Sequence, residues 1–257
     1  MPAPEEDRAL LVAAAERAGD IARQFHGQNP DVFDKGDEGP VTEADLAIDK
    51  MLRETLLDAR PGYGWLSEET EDDGARLDAE TLFVVDPIDG TRAFIEGGRS
   101  FAHSLAVVRR GEVTAAAVFL PLKDRMYAAA AGQGATLNGA ALTARGDALE
   151  QAEILTTKAN LTEAHWPRGV PPIKRVYRPS LAYRMALVGE GRFAGMMTFR
   201  PTWEWDIAAG ALIITEAGGA LSDGHGAPLK FNNPTPQVAG VIGAAAPVHE
   251  GLLALRA

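Results

Sequence analysis

Carboxylate side chains lie beside three apolar segments of this chain, and their spacing suggests a metal site. Asp86 directly follows the apolar run of residues 82–85, and Asp89 lies three residues further along. Glu68 ends the apolar stretch of "WLSEE", and Asp206 opens the segment "WDIAAG". Burial of these segments would bring the carboxylates to the edge of a core, where uncompensated negative charge is costly. Converging carboxylates repel one another unless cations intervene, and such hard oxygen ligands suit Mg²⁺ or Mn²⁺.

Two such ions about 3.5 to 4 Å apart, bridged by one carboxylate, would activate water and stabilise the leaving oxygen of a phosphoryl group. The segment "DGTRAF" after Asp89 could begin a helix at Gly90 and Thr91, and the backbone N–H groups of a helix start bind phosphate well. Each acidic position also has an ordinary interpretation. "DPIDG" is typical of a turn, the Glu-Glu pair of a solvated loop, and Asp206 of a helix cap.

The elements that must position these residues fall into two halves. Residues 5–26 form an amphipathic pattern, and Thr42 could cap a second helix, "EADLAIDKMLRETLLDA". Strands in a mostly antiparallel order are predicted from there to about residue 145, with a tight Asn-Gly turn at 138–139. After residue 145 strands and helices alternate, including a helix predicted over 177–191. The order predicts α+β structure in the first half and α/β structure in the second.

Composition restricts the function classes. The chain has 257 residues, and 25 basic against 36 acidic residues give a net charge of −11, which argues against binding a nucleic-acid polymer. Cysteine is absent, which rules out disulfides and thiolate chemistry. The acidic N-terminus does not read as a signal peptide, and no stretch approaches the roughly 20 apolar residues of a membrane span. A cytoplasmic protein is therefore expected.

Four motifs, in order, resemble the inositol monophosphatase family, the Mg²⁺-dependent, lithium-sensitive phosphatases. They are "VTEAD", "SEE", "DPIDGTRAF" and "WEWDIAAGALIITEAGG", and the likeness extends over nearly the whole chain. The resemblance implies a layered αβαβα sandwich formed by one domain over residues 1–257. Within it, subdomain 1–145 would hold most metal ligands and subdomain 146–257 would determine substrate specificity.

The resemblance also implies a role for each matching residue. One Mg²⁺ would be held by Glu68, Asp86 and the carbonyl of Ile88. A second would be held by Asp86, Asp89 and Asp206, and a third, weaker ion would contact Glu68; Mn²⁺ is expected to substitute. Thr91, hydrogen-bonded to Asp45, would orient and deprotonate the attacking water together with Glu68. The amides of Gly90 and Thr91 would receive the phosphate.

The second half indicates which substrate is bound. "PTWEWDIAAG", with Glu204 in its lead-in, resembles the bacterial 3'(2'),5'-bisphosphate nucleotidases of sulfur assimilation, and Ser180 and Arg184 keep a serine-to-cation spacing of those enzymes. Arginine replaces lysine there, and its planar fork suits a second phosphate. Pro179 replaces the usual glycine, which puts the approach of the backbone to the ligand in doubt. Lys35 matches a family lysine near the metals.

The sequence thus predicts a phosphomonoester hydrolase that removes the 3' or 2' phosphate of adenosine bisphosphate. The alternatives are an inositol, polyol or histidinol phosphate phosphatase and, from another class, a non-catalytic member that binds anions or a protein partner. The expected partner is a small phosphorylated substrate, and a homodimer is expected by analogy with relatives.

Overall fold

The computed structural model describes residues 2–28, 30–34, 36, 40–146 and 148–256. The helices in these ranges are α1 (Pro4–Phe25), α2 (Glu43–Ala59), α3 (Thr91–Ile95), α4 (Leu181–Gly189), α5 (Glu204–Glu216) and α6 (Ala246–Arg256). The strands are β1 (Val32–Asp34), β2 (Pro40–Thr42), β3 (Gly64–Ser67), β4 (Thr81–Asp89), β5 (Ala102–Arg109), β6 (Glu112–Leu120), β7 (Arg125–Ala130), β8 (Ala135–Leu137), β9 (Ala140–Ala141), β10 (Glu153–Leu155), β11 (Lys174–Val176), β12 (Gly195–Thr198), β13 (Thr202–Trp203), β14 (Ala220–Ser222), β15 (Gln237–Val238) and β16 (Val241–Ala244). None of the helices in the described ranges is both long and apolar enough to cross a bilayer.

A seven-stranded sheet has the order β3-β4-β5-β6-β7-β8-β9. Its first pair, β3 with β4, is parallel, and the other pairs are antiparallel. The predicted Asn-Gly turn joins β8 to β9, and both of its residues, Asn138 and Gly139, take the positive φ values that a tight two-residue hairpin requires. The mostly antiparallel order predicted for the first half is therefore correct.

A second, five-stranded sheet has the order β11-β10-β12-β16-β14 and mixes parallel with antiparallel pairs. Helices α4 and α5 lie between the two sheets, α1 and α2 cover the outer face of the large sheet, and α6 covers the outer face of the small one. These five layers confirm the predicted αβαβα sandwich. The division into subdomains at residue 145 stays a prediction, because α4 and α5 pack on both sheets.

Strand β4 lies between β3 and β5 in the large sheet, and its side chains alternate between two cores. Phe83 and Val85 pack against α1 and α2, whereas Leu82 and Val84 pack in the core that contains α4 and α5. Every residue of the strand is buried, as the apolar run of residues 82–85 predicts for that part of it. Asp86 and Asp89, which continue the strand, are therefore inside the protein.

A turn is the ordinary interpretation of "DPIDG", and the structure places the turn between strand and helix only at Gly90. The strand continues to Asp89: Asp86 pairs with Ser104, and Asp89 pairs with Ala102 after an irregularity in register. The intervening Pro87 has no N–H to contribute to the ladder, which is consistent with a bulge at this position. The bulge keeps both aspartates on the strand while changing the direction of the second.

Helix α4 begins at Leu181, four residues later than its predicted start at residue 177. Ser180 has a φ of 66°, outside the helical region, and Pro179 precedes it. The chain therefore turns sharply before the helix starts. This turn determines where Ser180 and Arg184 lie in the site.

Candidate active site

Three carboxylates from distant parts of the chain converge. Asp86 and Asp89 come from β4, Asp206 comes from the first turn of α5, and one oxygen of each lies within 4.8 Å of the others. Ser104, the β5 partner of Asp86, donates its hydroxyl to the carbonyl of Trp205 over 2.9 Å. The start of α5 is thereby attached to the strand beside the two β4 aspartates.

Glu68 reaches the same place through the parallel pairing of β3 with β4. Ser67 lies opposite Val85, and the Glu68 N–H donates to the Val85 carbonyl over 3.2 Å. The next residues along the two chains, Glu68 and Asp86, are therefore neighbours. The Glu68 side chain lines the cavity described below.

The clustered charges shift the pKa values of the carboxylates. Burial, followed by repulsion from Glu68, Asp89 and neighbouring carboxylates, raises the pKa of Asp86 well above its ordinary value. Burial and the same kind of repulsion raise the pKa of Asp206. Burial also raises the pKa of Asp89, although hydrogen bonds from the start of α4 oppose this effect. Closely spaced carboxylates of this kind need a positive charge among them.

The donor set fits a hard divalent cation. Asp86 is 1% exposed, and its Oδ1 atom has no hydrogen-bond partner among the described residues. A buried carboxylate oxygen without a partner is costly unless something absent from the protein chain binds it. Carboxylate oxygens at this spacing match the ligands of Mg²⁺ and Mn²⁺.

Thr91 and Asp45 form a hydrogen-bonded pair beside the carboxylates. The Thr91 hydroxyl lies 3.4 Å from Asp45 Oδ1 and 3.1 Å from the carbonyl of Ile88, and its single proton can be donated to either acceptor. The other oxygen of Asp45 accepts the N–H and hydroxyl of Thr42, which completes the capping box of α2. The helix cap thus fixes the carboxylate that faces Thr91.

Gly90 joins β4 to the short helix α3, where the sequence predicts a helix start. Its φ of 104° lies in the region that favours glycine, and a side chain at this position would be strained. Gly90 and Thr91 both line the cavity, next to Asp89 and Asp206.

Ser180 contacts a carboxylate of the cluster, although the sequence predicts that it contacts substrate. Its hydroxyl donates to Asp89 Oδ2 over 2.7 Å, and the N–H of Ala182 donates to the same oxygen over 2.6 Å. Ser180 also caps α4 by accepting the N–H of Tyr183. Asp89 therefore holds the start of α4 with one oxygen and leaves the other for the cluster.

Ser180→Ala is expected to lower the free energy of unfolding by about 1 to 2 kcal/mol, because it removes a helix cap and a bond to a buried carboxylate. Ser180→Gly removes the same hydroxyl but tolerates the positive φ of this position, so its loss should be smaller. Urea unfolding of both variants in the presence of EDTA measures the difference. Equal losses of unfolding free energy in the two variants would mean that the positive φ of residue 180 does not add to the cost of alanine.

A cavity of about 600 Å³ opens over the carboxylates. Arg184 lines its wall, is 6% exposed, and places its guanidinium 4.7 Å from the centre of the Tyr177 ring. Arg200 lies at the cavity mouth with 63% of its side chain exposed, 3.9 Å from Asp206. A cavity that is lined by both cations and carboxylates suits an anion bound together with metal ions.

Two further residues were assigned to the site from the sequence, Glu204 and Lys35. Glu204 is predicted to contact substrate, but it is fully buried and its carboxylate accepts hydrogen bonds from the backbone of Asn232 and Asn233. Its placement corrects that expectation, since helix α5 directs Glu204 away from the cavity. Lys35, the predicted loop cation, lies outside the described residues.

Arg200 and Asn160 also line the cavity, and neither is predicted as a site residue from the sequence. Arg200 immediately precedes the "PTWEWD" motif, so a basic residue next to a ligand motif was the available signal. Asn160 accepts the Phe199 N–H and donates to the Met197 carbonyl, which places it beside the strand that leads to Arg200. No sequence signal indicates this long-range contact.

Comparison with known proteins shows which family the chain resembles along its length. The sequence model of the inositol monophosphatase family matches residues 3–257. An inositol-1-monophosphatase of Rhizobium meliloti is 37% identical over 238 residues, covering 86% of this chain and 87% of the relative. The Nus factor SuhB of Escherichia coli is 32% identical over 244 residues, covering 87% and 88%. The crystallised IMPase of Thermotoga maritima superposes with a TM-score of 0.83 at 26% identity, covering 97% of this chain and 96% of the other.

Proposed function

The chain belongs to the inositol monophosphatase family, and on that premise we propose that it hydrolyses the monophosphate ester of inositol or a similar polyol. Family membership makes it a metal-dependent phosphatase of small phosphorylated substrates. The observation that supports the proposal most directly is the Asp86–Asp89–Asp206 cluster, two of whose members line the cavity, with Thr91 and Asp45 beside it. Relatives named inositol-1-monophosphatase support the polyol.

The proposed metal ligands are Glu68, Asp86, Asp89 and Asp206, together with the carbonyl of Ile88, and Mg²⁺ is the proposed ion. When bound, such ions stabilise the negative charge on a phosphoryl group and make water more acidic. The N–H groups of Gly90 and Thr91 and the side chain of Arg184 would hold the phosphate and its substituent over this cluster.

The residues of the chain would move the proton. The attacking water donates a proton to Thr91 Oγ1, whose own proton passes to Asp45 Oδ1, while Glu68 orients the water. The water oxygen forms the new bond to phosphorus as the bond to the alcohol oxygen breaks. The alkoxide released would take a proton from a solvent water in the cavity, and the proton held by Asp45 would return to the hydroxide that this leaves. Thr91 cannot act as a base alone, since a hydroxyl releases its proton only to a stronger base. Asp45 is the carboxylate within reach of that hydroxyl.

A second candidate substrate is adenosine 3',5'-bisphosphate, which would lose its 3' phosphate. The observation that favours it is the pair of cations, Arg184 in the wall and Arg200 at the mouth, since a bound monophosphate would not require both. The likeness of "PTWEWD" to nucleotidases points the same way.

A phosphate-release panel in Mg²⁺ distinguishes these substrates. We expect kcat/KM for inositol 1-phosphate to exceed that for adenosine 3',5'-bisphosphate at least 10-fold, which corresponds to about 1.4 kcal/mol of transition-state binding. Histidinol phosphate and fructose 1,6-bisphosphate serve as further comparisons. A 10-fold preference for the bisphosphate nucleotide would favour the second candidate. No phosphate release from any of the four would favour the non-catalytic alternative, in which the fold binds anions or a protein partner.

A further inference from the structure

Of the predicted carboxylate ligands, Asp206 alone comes from the second half of the chain. Its position relative to Asp86 and Asp89 therefore depends on how the first turn of α5 is held against the large sheet. A metal site tolerates only about 0.5 Å of misplacement in its ligands. Contacts that fix this turn thus affect metal binding even where they do not touch the metal.

Glu204, two residues before Asp206, holds the first turn of α5 to the segment 232–236. Its Oε2 accepts the Asn232 N–H over 2.7 Å, and its Oε1 accepts the N–H and the side-chain amide of Asn233 over 2.9 and 2.7 Å. The Glu204 N–H donates to the Pro236 carbonyl over 2.9 Å. The carboxylate is fully buried, and the residues around it supply three hydrogen bonds to its oxygens.

Arg76 fixes the same segment from the first half of the chain. Its guanidinium donates to the side-chain oxygen of Asn232 over 2.6 Å and to the carbonyl of Asn233 over 3.0 Å. It also binds Asp72 through two nitrogens, at 3.0 and 2.8 Å. Arg76 is 2% exposed, so these bonds are shielded from water.

We propose that Glu204 and Arg76 are positioning residues that fix Asp206 in the metal cluster by clamping the segment 232–234 between the two halves of the chain. The segment is held to α5 by Glu204 and to the segment 72–76 by Arg76. Neither side chain lines the cavity. Both side chains would fix the direction of the first turn of α5 by holding the segment 232–234 in place. This role rests on the proposed metal-dependent function.

Glu204→Gln is the test of this proposal. The amide keeps the size of the side chain but turns one acceptor into a donor that faces a backbone N–H, so the segment should loosen. We expect Mn²⁺ affinity, measured by calorimetry without substrate, to fall about 10- to 100-fold, as is usual when outer partners of a metal site are lost. Arg76→Lys should give a fall in the same direction, because lysine lacks the planar fork.

The matched controls are Asp7→Asn and Arg60→Lys. Asp7 is 3% exposed and accepts hydrogen bonds from Arg60 and Tyr63, each over 2.9 Å, and this group does not line the cavity. We expect these variants to lose stability in urea unfolding while keeping wild-type Mn²⁺ affinity. Equal Mn²⁺ affinity in Glu204→Gln and Asp7→Asn at comparable stability would overturn the proposal.

The double variant Glu204→Gln/Arg76→Lys gives a second readout. If both residues act through one segment, the combined loss of Mn²⁺ affinity should be smaller than the product of the two single losses. Independent, multiplicative losses would contradict a shared clamp. Should Glu204→Gln not fold, Asn233→Ala removes one donor to Glu204 and is expected to weaken Mn²⁺ binding in the same way. A wild-type protein that binds no Mn²⁺ would instead refute the metal site, and with it the proposed function.

Discussion

Thr91→Ala is expected to lower kcat by about 100- to 1,000-fold while leaving Mg²⁺ and Mn²⁺ binding nearly unchanged. The hydroxyl of Thr91 lies 3.4 Å from Asp45 Oδ1, and it is the group through which the proton of the attacking water would reach that carboxylate. Alanine removes the hydroxyl but no metal ligand side chain. Steady-state phosphate release and calorimetric titration of the metal, performed on the same preparation, measure the two effects separately.

Thr91→Ser is the matched control, because serine retains the hydroxyl and should keep kcat within about 10-fold of the wild type. The two variants separate the hydroxyl from the methyl group, which helps to fill a site that is 9% exposed. If alanine and serine variants were equally active, Thr91 would have no part in proton transfer. If alanine abolished metal binding, its effect would instead be on the bond to the Ile88 carbonyl, 3.1 Å away.

The helix that positions Asp45 could be predicted from its capping residue and from the spacing of its apolar residues. The Thr42 side chain accepts N–H groups at the start of α2, and the Asp45 carboxylate accepts the Thr42 N–H, as a capping box requires. The period of apolar residues identified the helix behind it, whose Ile48, Leu52 and Leu56 are fully buried. These features depend on residues within one or two turns of each other, so the sequence contains the information needed to predict them.

The length of β4 could not be predicted, because it depends on pairing with a segment that is distant in the sequence. The continuation of β4 beyond Val85 depends on Ser104 and Ala102 lying opposite Asp86 and Asp89, and those partners are more than ten residues away. A single sequence shows "DPIDG" only as a turn-forming string. The pattern therefore indicated carboxylates that converge in the structure, but not the strand that carries two of them.

The position of the Glu204 side chain also depends on a distant segment that the sequence does not reveal. Its position in a motif next to Asp206 suggested substrate contact, but the helical geometry of α5 turns it toward Asn232 and Asn233. Residues two apart on a helix do not share a face. Asp206 can therefore reach the cavity while Glu204 is buried behind it, and their roles follow from direction rather than from proximity in sequence.

Asp86→Asn is expected to have opposite effects on stability and on activity. Burial and repulsion raise the pKa of Asp86 in the metal-free protein, so the ionised carboxylate opposes folding at neutral pH. Its neutral amide should raise the free energy of unfolding in EDTA by about 1 to 2 kcal/mol. The same change removes a proposed metal ligand, so kcat/KM should fall by more than about 100-fold, beyond the usual loss for an outer partner of a metal site.

Thermal unfolding with and without Mg²⁺ tests both halves of this prediction. At 100 times its Kd, Mg²⁺ should stabilise the wild type by about 2.7 kcal/mol, and the Asp86→Asn variant should gain almost nothing. Asp7→Asn provides the contrast, because Asp7 has Arg60 at 2.9 Å, so its loss should destabilise the protein and preserve the response to Mg²⁺. An Asp86→Asn variant less stable than the wild type in EDTA would mean that Asp86 stabilises the fold without metal. The cluster would then be structural, because carboxylates arranged to bind cations repel one another when the cations are removed.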